Sequence, residues 1–185
     1  MPLDNKFVPK KSITVPPGTH TALLAEIIHI GVQRGEYKGE VSLKDQILFS
    51  FELPDITSED GRPIRISKRE THSLGAKGNL IKLIQALTGT NNLEKGIDYS
   101  DLIGKPLLLS IEHTEKGNSK IAGYMSLPNQ YKNGLKPLMS TPRLFLDVDQ
   151  ISEKDFKQFP EWVQKVINER VGGKNDNTVY NDAPS

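Results

Sequence analysis

The order of periodicities along this chain predicts a mainly β protein: a five-stranded Greek-key barrel with a helix between strands three and four, followed by a C-terminal helical appendage. Three observations carry that expectation. Residues 43–53 and 62–71 alternate apolar and polar side chains with a period of two, as strands with one wet face do. Residues 74–88 switch to the spacing of an amphipathic helix. Two more apolar runs, 105–113 and 121–127, then flank the turn Glu115-Lys-Gly-Asn-Ser-Lys120.

Taken in order, residues 1–11 are polar and basic, with Lys6, Lys10 and Lys11, and read as a flexible arm. The barrel domain is expected over residues 12–130. Val15-Pro-Pro-Gly-Thr19 is a turn, because two prolines fix φ and remove donors ahead of a glycine. A strand follows from His20 to about Ile30, apolar on both faces and so expected to be covered on both. The stretch Gly31-Val-Gln-Arg-Gly-Glu-Tyr-Lys-Gly-Glu-Val-Ser42 reads as a glycine-punctuated loop. In the second strand Leu43, Ile47, Phe49, Phe51 and Leu53 point one way and Lys44, Gln46, Ser50 and Glu52 the other, with Pro54 closing it. Asp60-Gly61 turns the chain into a third strand, Arg62 to Thr71, whose Ile64 and Ile66 point inward and whose outer face is basic.

The helix at 74–88 places Leu80, Leu83, Ile84 and Leu87 on one side, with Ser73 as its cap and Gly89 as its stop. Pro128 to Pro142 reads as an extended excursion, and Leu144 to Val148 as one more short strand. Ser152-Glu-Lys-Asp155 signals a helix start, and Pro160 suits the first turn of a second helix carrying Trp162, Val163, Val166 and Ile167. Residues 131–171 are thus expected to pack on the barrel or on a second subunit, with Trp162 assigned to that packing. From Gly172 the composition turns to Gly, Asn, Asp and Ser, and a disordered tail is expected over 172–185.

Composition narrows the function. The 185 residues contain no cysteine, which excludes disulfides, thiolate metal sites and cysteine nucleophiles. No apolar run approaches the roughly 20 residues of a membrane span, and the N-terminus lacks a basic-then-apolar leader, so a cytoplasmic protein with no membrane partner is expected. The net charge of +1 hides an asymmetry: up to Arg143 the chain has 19 Lys+Arg against 15 Asp+Glu, and beyond it 5 against 8. A basic body with an acidic end suits a polyanionic ligand.

The candidate site is drawn from that basic body. Tyr37 stands between Gly35 and Gly39 with Arg34 and Lys38 beside it, an aromatic ring among cations that matches base stacking combined with phosphate neutralisation. Antiparallel neighbours share a face, which would put Lys44, Arg65 and Arg69 on one surface near that loop, with Lys68 close by. Lys120, in the turn of the last hairpin, and Tyr124, assigned to the face opposite Ile121 and Met125, complete the set. The competing reading of the loop is a polar hairpin whose tyrosine folds back onto the sheet.

Three strands, a helix and two strands is the order of the oligonucleotide/oligosaccharide-binding (OB) fold, whose ligand surface is the face of strands two and three with the 1–2 and 4–5 loops. The residues above fall in those places. The motifs Val15-Pro-Pro-Gly-Thr-His-Thr-Ala-Leu23, the Gly31 to Gly39 loop, Phe51-Glu-Leu-Pro54, Asp60-Gly-Arg-Pro-Ile-Arg-Ile-Ser-Lys-Arg-Glu-Thr71, Leu102-Ile-Gly-Lys-Pro-Leu107 and Phe159-Pro-Glu-Trp-Val-Gln-Lys-Val-Ile167 resemble a family of bacteriophage-encoded OB-fold single-stranded DNA-binding proteins from replication and recombination modules. The resemblance covers most of the chain. It implies a protein that coats exposed single strands in the host cytoplasm, without marked sequence preference, alone or as a homo-oligomer, and alongside phage replication or recombination proteins. It implies no cofactor and no residue list. The tail departs from the acidic, aromatic-capped ends of cellular single-strand binders, since it closes on Tyr180-Asn-Asp-Ala-Pro-Ser185.

Enzymatic readings find little support. His20, His29, His72 and His113 occur singly, with no metal-binding spacing, and Gly75-Ala-Lys-Gly78 lacks the spacing of a phosphate-cradling loop. Asp45, Glu52, Asp55, Glu59, Asp60 and Glu70 are scattered over strands and turns, and a magnesium-dependent nuclease built from them is the weakest alternative. The stronger alternative is a phage protein-interaction factor for assembly or anti-defence that binds no nucleic acid. No catalytic residue, metal or cofactor is expected.

Overall fold

The computed structural model describes residues 14–73, 75, 78–90, 94 and 96–176. The expected N-terminal arm, and the part of the tail beyond Asp176, lie outside the described residues. Among the described residues, six strands form one sheet: β1 (Gly18–Tyr37), β2 (Glu40–Thr57), β3 (Pro63–Thr71), β4 (Pro106–His113), β5 (Ser119–Met125) and β6 (Arg143–Phe145). The sheet order is β3-β2-β1-β4-β5, antiparallel throughout, with the short β6 added to β1 in parallel. Among the described residues, three α-helices, α1 (Asn79–Thr88), α2 (Glu153–Gln158) and α3 (Glu161–Asn168), and three short 3-10 helices complete the regular structure. The protein is mainly β, as the periodicities predict.

The largest difference from expectation is the Gly31 to Ser42 stretch. It is not a loop but the end of a long hairpin, in which β1 runs on to Tyr37 and β2 begins at Glu40. Lys38 and Gly39 alone make the turn, with φ of 51° and 80°, the left-handed pair that matches the twist of a tight hairpin. Gly31 serves another purpose. It follows a register shift between His29 and Gly31, its φ is 78°, and a Cβ there would lie 2.7 Å from Cδ of Arg170. Only glycine lets the C-terminal segment approach so closely.

Other boundaries move for local reasons. Pro54 lies inside β2, but where the pairing to β3 is irregular between Leu53 and Thr57, so its missing N–H removes no ladder bond. Helix α1 starts after Gly78 without a side-chain cap, so Ser73 is not its cap, whereas Gly89 ends it with φ 73° as expected. Leu80, Leu83, Ile84 and Leu87 are all buried.

The core has two layers because β1 and β2 are apolar on both faces. On the inner face, Leu24, Ile27, Ile47, Phe49, Phe51 and Leu53 pack with α1 and with Leu107, Leu109 and Ile111 of β4. On the outer face, Ile28, Ile30 and Leu48 pack with Val148, Phe159, Val163 and Ile167 of the C-terminal segment. Helix α2 is capped by Ser152, whose hydroxyl accepts from the Asp155 amide, as the sequence signal predicts. At the two ends of the sheet, the Tyr124 hydroxyl of β5 donates to Glu70 of β3 at 2.8 Å.

Both Gly31 and Gly39 carry positive φ, but only Gly31 faces a neighbour that a methyl group would strike. Gly31→Ala is therefore expected to cost about 1–3 kcal/mol and Gly39→Ala less, which urea denaturation of the two variants measures.

Candidate nucleic-acid interface

Strand register decides which predicted residues share a surface. Along β2 the even-numbered residues from Glu40 to Glu52 face outward, and their cross-strand partners follow them: Tyr37 opposite Glu40, Gln33 opposite Lys44, Arg69 opposite Leu48, Ser67 opposite Ser50 and Arg65 opposite Glu52. Tyr37, Lys44, Arg65 and Arg69 are therefore on one face. Tyr37 is 74% exposed at the hairpin end, with the Lys38 ammonium 5.3 Å from its ring centre. It does not fold back onto the sheet.

Two clefts open on this face, on either side of Leu48, which α3 covers. The first, of about 280 Å³, is lined by Gln33, Arg34, Gly35, Ser42, Lys44, Gln46 and Arg69. Arg34 reaches Asp176 at 2.8 Å, and that carboxylate also accepts from the Gly172 amide. Residues 172–176, assigned by composition to the tail, are thus folded against the hairpin, with Asp176 buried. The second cleft, of about 410 Å³, lies between the sheet and the C-terminal segment; Glu26, Ser50, Arg65, Ser67, Ser140, Arg143 and Trp162 are among its lining residues. Arg65, Ser67 and Arg69 alternate outward along β3 and connect the two.

Three predicted residues lie elsewhere. Tyr124 faces inward, because a register shift between Ser110 and Ile111 accommodates one extra residue in β5 and reverses the alternation. Its ring packs 6.1 Å from Phe51, and burial, with the neighbouring Glu70 charge, holds its hydroxyl well above the ordinary phenol range. Such a ring is not open to a base. Lys68, also on the inner side, pairs with buried Glu70 at 3.0 Å and sits over the Tyr124 ring. Lys120 is exposed on β5, 4.0 Å from Glu112 and away from both clefts. The cations that the register puts on one face are Lys44, Arg65 and Arg69, with Lys38 beside Tyr37; Arg34, opposite Leu43, lines the first cleft while paired with Asp176.

Sequence reasoning missed Glu26, Arg143 and Trp162. Trp162 immediately precedes the buried Val163 and Ile167 on α3, so it falls at the edge of the apolar stripe and is 48% exposed. Arg143 is set opposite Glu26 by the β1–β6 pairing. Glu26 did leave a signal, as a lone carboxylate inside the apolar run Leu23-Leu-Ala-Glu-Ile-Ile28. It is 7% exposed, and burial raises its pKa from 4.5 against the opposing pull of Arg65 and Arg143.

Among the described residues no group of three or more His, Asp or Glu side chains is placed to share a metal ion, and no helix is long and apolar enough to cross a membrane. The chain matches no protein-family model and no curated protein. Function is therefore read from the geometry.

Two stability measurements check these placements. Tyr124→Phe is expected to cost about 1 kcal/mol, while Tyr37→Ala should change stability by less than about 0.5 kcal/mol. Because the folded pKa of Glu26 is raised, its protonated form is favoured in the folded state, and the stability this gives is present below pH 4.5 and lost as pH rises through the folded value. Glu26→Gln is thus expected to stabilise the protein at pH 7, with the gain shrinking toward pH 4, in denaturant titrations at both values.

Proposed function

We propose that this chain is a non-enzymatic binder of single-stranded DNA that uses the outer face of β2 and β3, on an OB-type Greek-key barrel. The observation that carries the reading is the register that aligns exposed Tyr37 with Lys44, Arg69 and Arg65. A ring that stacks on bases and cations spaced along a strand suit a flexible polyanion better than a rigid small molecule. The strand order, the position of α1 between β3 and β4, and the Tyr124–Glu70 link between the edge strands all support the barrel reading. The motif resemblance to phage single-strand binders points the same way and suggests a role in coating strands during phage replication or recombination, beside other proteins of that module.

In this reading the phosphates follow Lys44, Arg69 and Arg65, and a base stacks on Tyr37. Each stacked base contributes about 1–3 kcal/mol and tolerates any sequence, since every base has a π face. Lys68 and Tyr124 keep the edge strands together and touch no ligand.

One observation favours the protein-interaction alternative. Val41 and Leu43, on the other side of the same hairpin, are 66% and 59% exposed. Such an apolar pair suits a protein partner.

Fluorescence anisotropy with labelled oligo-dT and with its duplex, at low and moderate salt, separates the two. Single-strand binding should weaken steeply with salt, with a log–log slope of about −3 if four phosphates are neutralised. Tyr37→Ala should weaken it roughly tenfold without a matching loss of stability. Absence of oligo-dT binding at low salt would sink the DNA reading and leave the interaction factor.

A further inference from the structure

The second cleft contains a carboxylate that the fold itself does not use. Glu26 lies on β1 opposite Ser50, whose hydroxyl bonds that of Ser67 at 2.7 Å. More than nine-tenths of it is buried, and among the described residues no hydrogen bond forms to its carboxylate; only the more distant charges of Arg65 and Arg143 oppose the penalty of burial. By contrast Glu52, the next buried carboxylate on that face, accepts from the Met139 amide and from the Ser140 amide and hydroxyl. Among the described residues no buried side-chain oxygen lacks a partner, so the unbonded Glu26 oxygens are open to the cleft, where a ligand's donors can reach them. The cleft that Glu26 lines also has two guanidinium groups, a row of hydroxyls and the half-exposed Trp162 ring, and its volume of about 410 Å³ falls within the range of small-ligand sites, about 300–1,000 Å³.

These groups specify a ligand with three parts: a flat ring for Trp162, an anion for Arg65 and Arg143, and N–H donors for Glu26. We infer that this cleft holds one nucleotide of the bound strand and that Glu26 selects a base with adjacent N–H donors on its Watson–Crick edge, guanine above the others. Guanine offers N1–H and N2–H side by side, so one carboxylate accepts both. Cytosine and adenine place a ring acceptor beside their amino group, and thymine flanks its single N–H with two carbonyl oxygens, which repel a carboxylate. The inference rests on the strand-binding reading and adds a base preference to an otherwise sequence-tolerant surface.

Trp162 is the sole tryptophan, so its emission reports on this cleft alone. The experiment titrates the full chain with short oligo-dT, with the same strand carrying one central dG, and with dGMP. The dG strand should bind about tenfold more tightly than oligo-dT and quench Trp162, as dGMP should. Glu26→Gln should abolish the difference between strands and the response to dGMP. Arg143→Gln serves as an independent second variant and should weaken dGMP severalfold. Equal affinity for both strands with unchanged emission would overturn the inference, and salt-dependent oligo-dT binding would then leave the broader function standing. Quenching by dGMP that Glu26→Gln removes, with no strand binding at all, would uphold the cleft and overturn strand coating. No response to any of the three probes would overturn both.

Discussion

The structure depends on the burial of β1 and β2 from both sides. An antiparallel pair with one apolar face can leave the other in water, but Ile28, Ile30 and Leu48 put an apolar patch on the outer face as well. That patch must be covered, and the C-terminal segment covers it with Phe159, Val163 and Ile167. Each such side chain contributes roughly 1.5–3 kcal/mol when fully buried, enough to hold short helices that would not form alone. Where the cover stops, clefts remain on either side, and the candidate interface consists of those margins.

Polar contacts fix the position of the cover. Glu52 accepts three hydrogen bonds from Met139 and Ser140, and Arg65 donates to the Ser140 hydroxyl, so the excursion before β6 is tied to the outer face of β2 and β3. Gln33 donates to the carbonyls of Ile30 and Val166 at 2.8 and 3.0 Å, and the Val171 amide donates to the Val32 carbonyl. The Arg34–Asp176 pair then secures the end of the described chain beside the hairpin. Buried polar groups satisfied in this way specify one docking geometry, whereas apolar contacts alone would allow several. The same ties place Trp162 and Arg143 over the row of Glu26, Ser50 and Ser67.

Much of this was legible in the chain. Period-two alternation located β2, β3 and β4, helical spacing located α1 and α3, and Ser152 located the start of α2. The face shared by Lys44, Arg65 and Arg69 followed from antiparallel pairing alone. The failures have a common cause. Glycines at 31, 35 and 39 suggested a loop, but long pairing partners on both sides outweighed local propensity, and only Lys38 and Gly39 turned. One extra residue in β5 turned Tyr124 inward.

The sequence by itself determined the class of structure, the inner core and the basic outer row of β3, because each of these depends on side-chain alternation within a single element. Glu26 left a signal there, a lone charge in a doubly apolar strand, but the sequence reading missed it. Tertiary structure alone decided that Trp162 and Arg143 line one cleft with Glu26, that Lys68 and Tyr124 serve the sheet edges, and that Asp176 returns to Arg34. Those pairings join residues distant along the chain, and their geometry is set by which apolar faces must be covered, a property of the whole fold that no local pattern records.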